Sequence, residues 1–121
     1  MSGTNSYQPH KGDIVSIDFM PSRDKEIQKR RPAMVISNQQ YAKMTGLALV
    51  CPITHATRNR LAHTGLMVPI KTDKITGYVN PLQFHTFDFV QRRMQYIEQV
   101  PEDVLSQVLQ TVNDVINAKE T

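Results

Sequence analysis

Between residues 13 and 19 apolar and polar positions alternate: Val15, Ile17 and Phe19 are separated by Ser16 and Asp18. A period of two predicts a half-buried strand. Ile14 breaks the alternation, so both faces should be covered near its start, just after a turn at Gly12. Residues 20–30 are polar, charged and without period, and predict a long exposed loop. Residues 32–37 form a β-prone apolar run, expected as a second, buried strand with Pro32 in first position, where a missing N–H is tolerated. Residues 38–45 predict a short helix capped by Ser37 or Asn38 and ended by Gly46, with Tyr41 and Met44 on its inner face.

Further strands are expected over residues 47–53, 65–70, 75–79, 84–90 and 94–99. Leu47, Leu49 and Cys51 share a face of the first of these, and a second polar loop over 55–64 follows it. The clearest helix starts at Pro101, expected in the first helical position, with Glu102 and Asp103 at the positive end of its dipole. Val104, Leu105, Val108, Leu109, Val112, Val115 and Ile116 recur at three- and four-residue spacing and predict one apolar face docked on the sheet, with Lys119 at the helix end. Many short strands and one terminal helix predict a mainly β protein with helices (α+β): a small, strongly bent antiparallel barrel with the helix as a lid.

The 121 residues suit one domain with a real core. Residues 1–10 read as a flexible tail and 11–121 as a single domain. No apolar run approaches a membrane span, and the polar N-terminus does not resemble a signal peptide, so no membrane partner and a cytoplasmic location are expected. The single cysteine, Cys51, reads as a small buried hydrophobe. Net charge is only +3. Its distribution is more informative: Arg23, Lys25, Lys29, Arg30 and Arg31 cluster in one stretch, as a polyanion partner would require.

There is no Gly-rich phosphate loop, no cysteine pair and no His-Glu-x-x-His. The four histidines lack metal-ligand spacing, so neither a metal nor another cofactor is expected. What remains is Arg31, at the expected entry of one strand, and Thr54, at the exit of another. If these strands are neighbours, their ends converge. A guanidinium and a hydroxyl together suit a phosphate passing through a pentacoordinate transition state, although Thr54 could equally be a turn residue after Pro52.

Several short motifs occur in an informative order: Lys11-Gly12-Asp13-Ile14-Val15, Asp18-Phe19-Met20-Pro21, Arg31-Pro32-Ala33-Met34-Val35-Ile36-Ser37, Val50-Cys51-Pro52-Ile53-Thr54, the segment 77–83, Thr86-Phe87-Asp88 and Val100-Pro101-Glu102. In this order the chain resembles the MazF/PemK/Kid family of toxin endoribonucleases. The resemblance implies an SH3-like barrel, a homodimer, an acidic antitoxin partner, and metal-independent cleavage of single-stranded RNA by 2′-hydroxyl attack. It implies catalytic roles for Arg31 and Thr54, with Glu26 at an acidic loop position. Candidate RNA contacts are Lys25, Gln28, Lys29, Arg30, His55, Arg58, Gln83 and His85. The chain departs from the family at Leu82, where many members are acidic, at Asn80, where an arginine can occur, and at Lys25, where plasmid members have a histidine. The general base is therefore open between Glu26 and His85. A same-fold gyrase poison or an RNA-binding protein without catalysis is the alternative. The first of these relies on a C-terminal tryptophan, and this chain has no Trp.

Overall fold

The structure, a computed structural model, describes residues 7–20, 29–55 and 64–120. The elements run β1 (Asp13–Met20), β2 (Lys29–Val35), α1 (Gln39–Thr45), β3 (Leu47–Thr54), β4 (Val68–Lys71), β5 (Thr76–Val79), β6 (His85–Asp88), β7 (Gln95–Gln99) and α2 (Glu102–Asn117). The strands form one curved antiparallel sheet in the order β4-β5-β3-β2-β1-β7, with β6 also paired to β3. This is a half-barrel. Side chains tie its two ends together: the Thr72 hydroxyl donates to the Glu98 carboxylate, and Lys74 Nζ reaches the Ile97 carbonyl at 3.3 Å.

Cross-strand partners lie on the same face of a sheet, so the register sorts the core into two sides. Ile14, Met34 and Cys51 lie on one side, with Ile53, Val79 and Val68. Val104, Val108 and Val112 of α2 pack on them. On the other side Val15, Ile17, Ala33, Val35, Ala48 and Val50 are covered by Met94, Tyr7, Phe87 and Phe89. The full burial of Ile14 and Val15 explains the broken alternation at the start of β1.

Several boundaries differ from the sequence expectation. Strand β2 begins at Lys29 rather than Pro32, because Lys29, Arg30 and Arg31 continue to pair with β1. Pro101 is the N-cap of α2 rather than its first helical residue. Val115 and Ile116 are 53% and 64% exposed, since α2 outruns the sheet, and the last turn of this helix carries no cation. In α1 the inward residue is Ala42, while Met44 is 73% exposed. The Asn38 side chain caps α1 by accepting from the Tyr41 N–H at 2.9 Å, and Gly46 ends it at φ +75°. β6 stops at Asp88 because its carboxylate accepts from the N–H groups of Val90 and Gln91, which turns the chain. The fold also extends further towards the N-terminus than expected. Tyr7 packs on the second cluster, Pro9 is fully buried, and the Tyr7 hydroxyl donates to Asp13 at 2.6 Å.

Candidate active site

Two prolines decide where the sheet opens. The Ile36 N–H donates to the Leu49 carbonyl at 2.9 Å. Antiparallel strands alternate the direction of their polar groups. Residues 36, 34 and 32 of this strand run therefore aim at β3, and Pro32 has no N–H to offer. The β2–β3 pairing ends just before it, at Ala33–Pro52. The same alternation turns Val50 and Pro52 towards β6, and that ladder ends at Val50–His85. The Pro52 carbonyl instead accepts from the Asn80 N–H at 2.9 Å, and β3 continues beside β5 through Ile53–Val79 and Thr54–Tyr78.

Continuing the β2–β3 register two positions past Ala33–Pro52 sets Arg31 opposite Thr54. Both lie on the face of Ala33, Val35 and Val50, where the second apolar cluster gives way to polar side chains. Tyr78, directly across from Thr54, shares that face. Arg31 is exposed and Thr54 half-buried. Among the described residues nothing engages the Arg31 guanidinium. Gly77 adjoins the same point: a Cβ there would lie 2.5 Å from the Thr54 carbonyl oxygen, so only glycine lets β5 come this close. An exposed guanidinium beside a hydroxyl can bind a phosphodiester and stabilise charge developing on its oxygens.

Arg30, next in sequence, has a different role. Its Nε donates to Ser16 Oγ at 2.7 Å, one terminal nitrogen to Asp18 at 3.0 Å, and the other to the Ser16 and Arg93 carbonyls at 2.7 and 2.6 Å. Asp18 is only 3% exposed. Arg30 thus neutralises a buried carboxylate and ties β1 to the turn before β7. It is engaged internally, rather than presenting the open cation expected for an RNA contact. Arg93, whose carbonyl it holds, sits at φ +51°. Arg92 stacks over Phe87 at 4.9 Å and donates to the Asp18 carbonyl at 3.2 Å.

Of the other expected site residues, Lys25, Glu26, Gln28 and Arg58 lie outside the described residues. Lys29 opens β2 opposite Met20. His55 is exposed immediately after β3. Gln83 is exposed and accepts from the Asn80 side chain at 3.4 Å. His85 is exposed, with its ring 6.0 Å from Phe87. It pairs with Val50, four residues from Thr54, or roughly 13 Å of strand. His85 nonetheless shares with Arg31 and Thr54 the face of the sheet that carries Val50. Asn80 is buried, and its side chain accepts from the Leu82 N–H at 3.0 Å. It builds the turn rather than projecting into solvent. Among the described residues no three His, Cys, Asp or Glu side chains gather as a metal site would need. Sequence reading missed Tyr78, although the alternation Thr76, Tyr78 against Gly77, Val79 marks it as outward-facing.

A cleft of about 740 Å³ lies elsewhere, lined by Tyr7, His10, Lys11, Asp13, Gln39 and Tyr96. The Asp13 carboxylate in it is already occupied by the Tyr7 hydroxyl and by the His10 N–H at 3.0 Å. Burial, and then the Asp13 carboxylate, push the Tyr7 phenol well above its usual range, so it stays protonated.

Comparison with known proteins adds a family. A family model described as the PemK-like, MazF-like toxin of type II toxin–antitoxin systems matches residues 10–116. The endoribonuclease toxin MazF of Escherichia coli K12 is 40% identical over 48 residues, a match covering 40% of this chain and 43% of that protein; the match thus spans less than half of that relative's length. The endoribonuclease toxin ChpB of the same organism is 30% identical over 109 residues, covering 88% of this chain and 92% of ChpB. Among solved structures, a MazE–MazF crystal structure (Form II) from Deinococcus radiodurans contains a chain that is 27% identical and superposes with a TM-score of 0.79. The match covers 93% of this chain and 99% of that one.

Proposed function

Because the chain belongs to the PemK-like, MazF-like toxin family of type II toxin–antitoxin systems, we propose that it is a toxin endoribonuclease cutting single-stranded RNA without a metal ion. The observation that carries this reading is that Arg31 and Thr54 stand on one face of the sheet, each two residues past the last β2–β3 pair, at the point where two prolines end the ladders. In the proposed reaction the ribose 2′-oxygen attacks the adjacent phosphorus. A P–O2′ bond forms, the P–O5′ bond breaks, and the products carry a 2′,3′-cyclic phosphate and a 5′-hydroxyl. The 2′-hydroxyl proton passes to a base, for which Glu26 and His85 are the candidates, and the departing 5′-oxygen takes up a proton. Arg31 neutralises the charge that grows on the non-bridging oxygens, and Thr54 donates a hydrogen bond to one of them.

The working form is proposed to be a homodimer acting in the cytoplasm. Its natural partner is an acidic antitoxin drawn to the basic stretch around Lys29–Arg31. Incubation of the purified protein with a long mixed-sequence RNA in EDTA, followed by mapping of the ends, tests the reading. Discrete cuts with cyclic-phosphate and 5′-hydroxyl ends are expected. Binding without cutting would identify an RNA-binding protein instead, consistent with Leu82 standing where an acid is common.

A further inference from the structure

Beside Thr54 the β4–β5 ribbon has two unlike faces. Val68, Ile70 and Val79 turn into the core. Pro69, Lys71, Thr76 and Tyr78 turn the other way, since Pro69 pairs with Tyr78 and Lys71 with Thr76. This outward face and His55 line a cavity of about 340 Å³. Tyr78 is also the direct partner of Thr54, so the cavity starts one cross-strand step from the proposed cleavage site. An aromatic ring with a lysine and an imidazole lining the same cavity, on a paired ribbon, has the composition of a surface that receives one unstacked base and its phosphate. The side chains expected from the sequence to contact RNA do not include Tyr78 or Lys71.

We infer that Tyr78, Lys71 and His55 form a nucleotide subsite next to the cleavage centre, in which the Tyr78 ring stacks a base of single-stranded RNA and Lys71 meets a flanking phosphate. The inference rests on the reading that this chain handles RNA and specifies where a neighbouring nucleotide is held. Stacking uses the ring face, so the hydroxyl of Tyr78 is dispensable. Because every base has a π-face, the subsite favours strong stackers, purines over pyrimidines, without reading a sequence.

The test uses full-length protein and fluorescein-labelled 12-nucleotide 2′-O-methyl oligo(A) and oligo(U). Neither can be cut by 2′-hydroxyl attack, so binding is read whether or not the wild type is a nuclease. Tyr78→Leu should weaken oligo(A) about tenfold, as expected for one lost stack. Tyr78→Phe should bind within about twofold of wild type. Lys71→Gln should flatten the plot of log affinity against log salt by about 0.7, the loss of one phosphate contact on a single strand. Unchanged binding in a folded Tyr78→Leu protein, or equal losses in the Leu and Phe variants, would overturn the inference. If Tyr78→Leu does not fold, the salt slope of the exposed Lys71→Gln variant decides, and an unchanged slope overturns it. Failure of the nuclease reading is distinguished separately, by wild-type protein that leaves natural RNA intact.

Discussion

Of two adjacent arginines, one is held inside the fold and the other is the proposed phosphate ligand. Arg30 holds a buried carboxylate and two backbone carbonyls, whereas Arg31 projects from the opposite face of the same strand. Arg30→Ala strands Asp18 without its ion-pair partner. The Arg30 side chain is 28% exposed, so solvent screens part of the loss, and a destabilisation of about 2–4 kcal/mol is expected. Thermal melting should fall by roughly 10 °C. Cys51 is a second residue whose role is purely internal. Burial pushes its thiol up to about 12 from an ordinary value of 9.0. The folded state therefore keeps the proton when the unfolded chain has lost it. This stabilisation is fully present below about pH 9 and is lost as pH rises towards 12. Urea midpoints should decline across that window, and less steeply in Cys51→Ala. Tyr7, also held protonated by burial, adds to the decline at its upper end. A thiol reagent should modify Cys51 only as fast as the protein opens.

At the scale of elements, the site depends on backbone that cannot pair. Pro32 and Pro52 each withhold the N–H that would have extended a ladder, so β3 leaves one neighbour and joins another beside Thr54. Gly77 lets β5 close on that point. Gly77→Ala puts a methyl group against the Thr54 carbonyl, and the strands must separate. The expected cost is about 1–3 kcal/mol of stability, with a loss of cleavage larger than the residual unfolding at assay temperature explains. Melting and single-turnover rates on the same sample check this; full activity in a folded Gly77→Ala protein would show that the spacing of β5 from Thr54 is immaterial.

Much of this layout was legible in the chain. Alternation in 13–19 and the 104–112 repeat gave β1 and α2, and the caps of α1 were readable at Asn38 and Gly46. The start of β2 was not, because Lys29, Arg30 and Arg31 look like a solvated run until the register shows them paired with β1. The internal partners of Arg30 were hidden for the same reason: Ser16, Asp18 and Arg93 are distant in sequence, and charge alone cannot reveal an ion pair. Val115 and Ile116 continued the helical period, but periodicity does not record where the sheet beneath it ends.

At the scale of the whole molecule, the half-barrel leaves β4 and β7 as edges, and Thr72 and Lys74, in the turn after β4, reach Glu98 and Ile97 of β7. Exposed edges and exposed apolar groups such as Met44 favour burial against a second copy. Sedimentation at micromolar protein should give twice the 13.8 kDa chain mass, and a monomer would contradict the proposed dimer. Cleavage should survive EDTA at an unchanged rate. Loss in chelator with recovery in Mg²⁺ would contradict the metal-free reaction.

In the proposed reaction Arg31 carries the chemistry while leaving the fold alone. Single-turnover RNA cleavage and thermal melting, measured together on Arg31→Ala and Arg31→Lys, test it most directly. Arg31→Ala should melt within a few degrees of wild type and cleave on the order of 10²–10³ more slowly. Arg31→Lys should be nearly as impaired, because an ammonium cannot give the planar two-donor grip. Wild-type cleavage by Arg31→Ala at saturating RNA, or unfolding of that variant, would contradict it.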